Sequence, residues 1–325
     1  MKKVLGIGNA LVDILITLQD DAKLAELGLP KGSMQLVDKS RSARILETLK
    51  EYPWKEAAGG SAANTVHGLA RMGVPAGYIG MIGEDELGGF FVRDLISAGV
   101  EPFMIHSGDP TGTATTLISP DSERTFATYL GAAVGLSAGY LDRFPDAFEK
   151  YDILHLEGYL VQDHELVEKA VWLAKKGGLL VSLDLASFNV VEAHRNFLEM
   201  IIEKKVDIVF ANEDEAKSFT GMEPHAALES LGNLCNIAVV KTGKKGSLIR
   251  HGKEKHEIGV IPVTPVDTTG AGDLYASGFL FGLANGLPLK RCGEIGALLA
   301  GNVVEEMGAK MTEERWGRIF MEISR

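Results

Sequence analysis

Short apolar runs and amphipathic segments alternate along most of this chain, and that rhythm restricts its fold more than any other feature. Residues 4–8, 76–82, 153–156, 179–183, 208–210 and 237–241 read as buried strands. Residues 40–51, 61–72, 86–98, 165–175, 190–203, 214–219, 225–234 and 271–306 read as helical. Strands that alternate with helices imply a mainly parallel sheet with helices on both faces. A hairpin is expected over 247–250 and 256–261. A further short strand is expected at 34–37. Two stretches break the rhythm, the continuation of the first strand through 12–16 and two strands at 113–119 and 124–130 joined by a turn at 120–123. These could form a separate small sheet over the binding edge.

The remaining bounds come from length and charge. The chain has 325 residues, 46% hydrophobic and 24% charged, which suits one large α/β unit over 1–325 with a small addition. A net charge of −11 argues against a general nucleic-acid or anionic-membrane surface. An anionic ligand would have to be held locally. Cys235 and Cys292 have no paired spacing, so neither a disulfide framework nor a zinc cluster is expected, and a cytoplasmic location is the simple reading. The run from Val4 to Leu18 after Met-Lys-Lys has the outline of a secretion signal. Asn9 and Asp13 interrupt it and no small-residue cleavage site follows, so it reads as a first core strand. No stretch is long and apolar enough to span a membrane.

The chemistry concentrates in a few strings. Asp267-Thr268-Thr269-Gly270-Ala271-Gly272-Asp273 follows a strand-like run ending at Val263 and Pro265, and precedes a long apolar helix. Small residues at a helix start leave N–H groups uncovered, where the helix dipole favours an anion. Asp273 in that first turn suits acid/base work on a hydroxyl that attacks a phosphate. The same string would also serve as a Gly-rich turn whose Asp complements the dipole. Ala58-Gly59-Gly60-Ser61-Ala62-Ala63-Asn64 is a second tight turn. Ser61 is expected as N-cap, and Asn64 in the first turn faces the same ligand. Asp13 is a lone carboxylate in an apolar run and needs a polar partner. Gly6-Ile7-Gly8 lacks the third glycine of a dinucleotide fingerprint, so a Rossmann cofactor site is rejected. Asn212-Glu213-Asp214-Glu215 follows a strand, and reads either as a site for hydrated magnesium or as a capped acidic helix start. Lys241-Thr242-Gly243-Lys244-Lys245-Gly246-Ser247 resembles half a P-loop without completing one. His155, Met307 and the apolar face of 288–306 are taken as core.

Together these strings resemble the ribokinase-like, or pfkB, family of carbohydrate and nucleoside kinases. Residues 58–64 are similar to its first pattern, 267–273 to its second, and 212–215 to its Asn-x-x-Glu magnesium motif, in the same order and over nearly all of 3–310. The resemblance implies a ribokinase-like three-layer α/β/α, doubly wound, mainly parallel sheet with a small β-sheet lid from about 11–38 and 105–131. It implies ATP, Mg2+ and γ-phosphoryl transfer to an alcohol. By matching position, Asp273 is the base and Gly270, Ala271 and Gly272 the anion hole. Asn9, Asp13, Gly59, Gly60 and Asn64 fall to the acceptor. Asn212, Thr242, Gly243, Gly246 and Asn302 fall to the nucleotide, with Glu215 at the metal through water. Arg124 in the lid hairpin either reaches the transferring phosphate or caps the hairpin.

The acceptor stays open between a purine nucleoside and a free sugar such as fructose or ribose. Residues 8–13, 110–113 and 129–133, the last including Leu130, are similar to the adenosine kinase branch. Tyr159 and Phe188 fall where that branch has aromatics around a purine, and such faces stack on bases. A non-catalytic sensor of nucleotide or sugar is the reading from another class, and a complete base, anion-hole and metal set argues against it. The family resemblance also allows a homodimer through lid strands and a monovalent cation (K+) beside 267–273.

Overall fold

The computed structural model describes residues 1–121 and 123–324. Its strands in the first half are β1 (Val4–Ile7), β2 (Leu11–Thr17), β3 (Met34–Leu36), β4 (Trp54–Gly59), β5 (Ala76–Gly83), β6 (Val100–Ser107), β7 (Gly112–Ile118) and β8 (Arg124–Tyr129). The second half adds β9 (Ile153–Glu157), β10 (Leu180–Asp184), β11 (Ile208–Asn212), β12 (Ile237–Lys241), β13 (Ser247–His251) and β14 (Glu254–Ile258). Nine of these form one sheet in the order β14-β13-β12-β11-β10-β9-β1-β5-β6. All its pairings are parallel except those of β13 with β12 and β14. The chain starts at β1, winds outward to β6, returns to β9 on the other side of β1, and winds outward again. Such a reversal leaves a crevice at the carboxyl ends of the strands.

Alternate side chains of each central strand go to opposite faces. Leu5, Ile7, Leu154, Leu156, Val181 and Leu183 pack in one core, and Val4, Ile153, Ile208, Phe210 and Val239 in another. The helices that position the site are α1 (Ser61–Arg71), α2 (Glu86–Ser97), α3 (His164–Lys176), α4 (Phe188–Lys205), α5 (Glu213–Thr220), α6 (Ala271–Ala284) and α7 (Leu289–Val303). α3, α4 and α5 cover the first core, while α6 and α7 cover the second. α6 is buried nearly all round, which its uniform apolarity reflects. Its Gly278 lets α7 approach closely, since a Cβ there would lie 2.6 Å from the Ile295 carbonyl oxygen.

The small sheet runs β3-β8-β7-β2-β4. The expected continuation of the first strand is therefore a second strand in a second sheet. The chain turns at Gly8-Asn9-Ala10, leaves the large sheet, and pairs β2 with β7 and β4. Residues 105–107, expected in the lid, belong to β6 of the large sheet, whereas β4 joins the lid. Both β4 and β6 lack a sequence signal, and both are edge strands. The string Trp54-Lys55-Glu56 has the exposure and charge that an edge tolerates, and Pro102 interrupts β6 where only an edge permits it. Ser122 of the expected 120–123 turn lies outside the described residues.

One other expectation gives way. The strand-like run before Asp267 is irregular, because Pro262 and Pro265 remove ladder donors, and β14 already ends at Ile258. That run is instead tied down by the Val266 and Asp267 N–H groups, which donate to the Val304 carbonyl at 2.7 and 3.0 Å. A further helix, Glu313–Ile323, packs Trp316 and Ile319 onto the second core. No helix among the described residues is long and apolar enough to cross a membrane.

Candidate active site

Gly270 caps α6 with φ 74°, a conformation that disfavours a Cβ, and a Cβ would also lie 2.4 Å from Ala309 Cβ. The turn is thus bare for two reasons at one residue. The N–H groups of Gly270 and Gly272 find no protein acceptor among the described residues. That of Ala271 donates to the Thr268 carbonyl at 3.2 Å, so Ala271 is the least available of the three expected donors. Asp273 follows in the first turn. Its Oδ1 accepts from Ser61 Oγ at 2.7 Å and its Oδ2 from Asn64 Nδ2 at 3.0 Å. Burial pushes the Asp273 carboxyl up to about 6, these two hydrogen bonds hold it down, Asp184 repels it and Lys241 attracts it.

The first turn of α1 faces that of α6. Gly60 is the N-cap, with φ 91°, and a Cβ there would lie 2.2 Å from the Asn9 carbonyl oxygen. Ser61, expected as the cap, is instead the first helical residue, and its hydroxyl serves Asp273. Asn64, expected to hold an acceptor hydroxyl, also gives its amide to Asp273. Gly59 lies against the Asp13 carboxylate, since a Cβ on it would come 2.5 Å from Oδ1. Asp13 stands on β2 in the cavity wall. Burial pushes it up to about 7, Lys310 and Arg124 oppose that, and Asp273 and Asp267 add to it. A carboxylate in this state is suited to accept hydrogen bonds from ligand hydroxyls.

The carboxyl ends of the large sheet supply the other wall. Asp184 ends β10 and Lys241 ends β12, with Nζ to Oδ2 at 2.8 Å. A Cβ on Gly272 would lie 3.1 Å from Lys241 Nζ, so this ammonium stands beside the bare turn. Burial works against its charge, but Asp184, Glu215 and Asp273 outweigh it and hold the lysine pKa above its usual value. Asn212 and Glu215 form a capping box on α5: Glu215 N–H donates to Asn212 Oδ1 at 2.8 Å, and Asn212 N–H returns to Glu215 Oε2 at 2.7 Å. The capped-helix alternative is therefore real. Yet burial, and next the Asp184 charge, push Glu215 up, which a purely solvated cap would not produce.

These groups line one cavity of about 560 Å³, shared by Asp13, Gly60, Asn64, Tyr159, Asn212, Glu215, Gly243, Gly270, Gly272 and Asp273. Tyr159 follows β9, and burial lifts its hydroxyl to about 12. Beside it Ala186 holds φ 65°, the one positive φ outside glycine among the described residues, and strain of this kind gathers at ligand sites.

Other expected residues are placed elsewhere. Asn9 gives both its N–H and its amide to Glu157 Oε1, at 2.9 and 2.6 Å. Phe188 opens α4 with 49% of its surface exposed, and the Leu130 backbone carbonyl lies against Gly112. Thr242 spends its hydroxyl on the Gly246 carbonyl at 3.0 Å, while Gly246 is pressed against the end of β14. Asn302 Nδ2 donates to the Leu298 carbonyl within α7. Arg124 neither caps the hairpin nor enters the cavity: its Nη1 lies 2.7 Å from Asp267 Oδ2 and 3.1 Å from Thr269 Oγ1. It binds the small sheet to the loop that leads into α6.

Ser61, Asp184, Lys241 and Glu157 were not singled out by pattern as chemistry. The available signal was a charge closing a buried strand, as in Leu180–Asp184 and Ile237–Lys241, at the edge where such folds place ligands.

A doubly wound sheet, a second sheet beside its carboxyl edge and a cavity between them define a kinase of the ribokinase-like fold. Residues 33–315 match the model of the pfkB family carbohydrate kinases, and the chain belongs to that family. Over 99% of its length it is 34% identical to the solved adenosine kinase from Sinorhizobium meliloti, covering 99% of that chain with a TM-score of 0.89. A solved protein from Rhizobium etli CFN 42, described as a probable sugar kinase, is 33% identical, with 99% and 98% covered and a TM-score of 0.89. The Saccharomyces cerevisiae adenosine kinase is 28% identical over 332 residues, 95% of this chain and 96% of the relative. The protein is thus an adenosine kinase-like sugar or nucleoside kinase with ATP as a substrate.

Proposed function

We propose that this kinase moves the γ-phosphoryl group of ATP to a primary hydroxyl of a purine nucleoside of the adenosine type, with Asp273 as general base. One observation carries the reading: the Asp273 carboxylate shares a cavity with the bare start of α6 and with Asp13. Asp13 accepts hydroxyls of the acceptor and, with Gly60, fixes its orientation. The alcohol donates to Asp273, its proton passes to the carboxylate, and the new O–P bond forms as the bond from the γ-phosphorus to the bridging oxygen breaks. ADP leaves with that electron pair. Charge on the moving phosphoryl is met by the Gly270 and Gly272 N–H groups and by Lys241.

Magnesium fits the opposite wall, where Glu215 and Asp184 offer hard oxygen ligands to an ion that keeps most of its waters. Bound there, it would neutralise phosphate charge. A monovalent cation beside 267–273 is tested separately, by turnover in potassium-free buffer.

Tyr159 in the wall and the 34% identity to an adenosine kinase over the whole chain support a purine acceptor. Phe188 favours the second reading, a free-sugar kinase, because half-exposed it leaves Tyr159 as the aromatic lining the cavity. ADP release with ATP, Mg2+ and adenosine, inosine, ribose or fructose separates the two: adenosine should give the highest kcat/KM, and a sugar in that place would overturn the nucleoside reading. The reading extends to assembly through the lid, whose edge strands expose Met34, Leu36 and Trp54. Sedimentation that finds a monomer at micromolar concentration would rule out that homodimer.

A further inference from the structure

Ser61 is a hydroxyl without a local task. It stands one residue inside α1, where Gly60 is already the cap, and it makes no capping hydrogen bond. It turns into the cavity and donates to Asp273 Oδ1 at 2.7 Å. Asn64 holds the other carboxylate oxygen at 3.0 Å, and Thr65 Oγ1 donates to the Asp273 carbonyl at 3.2 Å. Three successive contacts therefore fix the start of α6 to the start of α1. They are not equivalent. Thr65 grips backbone, and the amide of Asn64 is held by a rigid plane. The hydroxyl of Ser61 can rotate away and become an acceptor. It also has the chemistry of the group the base is meant to act on, an alcohol donating to a carboxylate.

We propose that Ser61 is a positioning residue whose hydroxyl occupies Asp273 Oδ1 until an acceptor alcohol replaces it, so that the base activates the acceptor rather than water. The proposal rests on Asp273 being the base. It gives the empty site a physical means of limiting ATP hydrolysis: water that reaches the anion hole finds Oδ1 already engaged. The charged groups that act on this carboxylate are Asp184 and Lys241 from the strand ends, Asp13 on β2, Glu157 at the end of β9, and Lys310. The Ser61 hydrogen bond favours its ionised form, so losing that bond disfavours the charge.

The test is ADP release with ATP and Mg2+ in the absence of acceptor, across pH, for the whole protein and for Ser61→Ala, Ser61→Thr and Asp273→Asn. Ser61→Ala is expected to raise acceptor-free hydrolysis relative to transfer to adenosine or fructose by about tenfold, the scale of one hydrogen bond to a charged group. Its acid limb should move to higher pH. Ser61→Thr keeps the hydroxyl and should restore both. Unchanged hydrolysis and an unmoved acid limb in Ser61→Ala would overturn the proposal. So would a fall of both activities in proportion, the mark of a merely structural serine. Asp273→Asn separates the two levels: if it still transfers, the base reading is wrong and Ser61 has nothing to guard, whereas its loss alone leaves the Ser61 comparison decisive.

Discussion

As the proposed base, Asp273 must be ionised near neutral pH and basic enough to take a proton, and its surroundings set both. Burial pushes it to about 6, so below that pH the carboxylate is protonated in the free enzyme and cannot act. We expect kcat/KM to fall as pH drops through about 6, measured with a saturating nucleotide. Asp273→Asn should cost about a thousandfold in kcat while the circular dichroism spectrum stays the same. Lys241 is the residue-scale counterpart. It stands beside Gly272, and an uncharged Lys241→Met would leave the moving phosphoryl without that neutralising charge. Steady-state kinetics should find kcat lower by about a hundredfold or more. A change confined to the KM for ATP would assign the lysine to nucleotide binding alone.

At the scale of elements, the contact between β8 and the loop before α6 decides how the lid is held. Asp267 is fully buried. It accepts from Arg124 Nη1 at 2.7 Å, from the Gly308 N–H at 2.5 Å and from the Thr269 N–H at 2.8 Å. Removing only the guanidinium strands a buried charge. Arg124→Met should therefore destabilise by about 3–5 kcal/mol in urea titrations. The double variant Arg124→Met with Asp267→Asn should recover part of that loss, because the amide removes the stranded charge while its oxygen keeps one of the two N–H groups, Thr269 or Gly308, that Asp267 holds on separate oxygens. If the double variant is as unstable as the single, the ion pair is not what joins lid to sheet.

For the whole molecule the consequence is a pH profile of stability. Burial raises the folded pKa of Asp13 and Glu157 to about 7 and that of Asp273 to about 6, against ordinary values of 3.8 to 4.5. Between those limits these carboxyls hold more protons in the folded chain than in the unfolded one, so the stability they contribute falls as pH rises from about 4 to about 7, an effect partly offset by His155 and His67, which burial holds below the usual imidazole range. Calorimetry should find a higher melting temperature at pH 5 than at pH 8. Asp13→Asn should narrow the difference by removing one of the groups responsible. A profile that rises across this window would mean that these carboxylates are not buried as charges. The loss at neutral pH is the expected cost of gathering acids at one end of a sheet for function.

Much of this architecture was legible in the chain because it is written in local periodicity. Each buried strand of the large sheet and the helices of both layers follow from apolar spacing, and the two glycine-rich turns mark where backbone would be bare. The strands that stayed hidden, β4 and β6, are edges, where no burial enforces a pattern. Proline, not hydrophobicity, decided that 259–266 is irregular. Within the site, Asp273, the glycines Gly270 and Gly272 and the carboxylate of Asp13 could be named from their strings, since turn geometry and a misplaced charge are local signals. Their relation to Ser61, Asp184 and Lys241 could not, because those partners lie 212, 89 and 32 positions away in the chain and meet only when the strand ends converge. By itself the sequence determined the doubly wound sheet and the class of chemistry. Tertiary structure decided which hydroxyl and which ammonium stand beside Asp273, and that Arg124 pairs with Asp267, because hydrogen bonds between distant elements depend on packing that no local window contains.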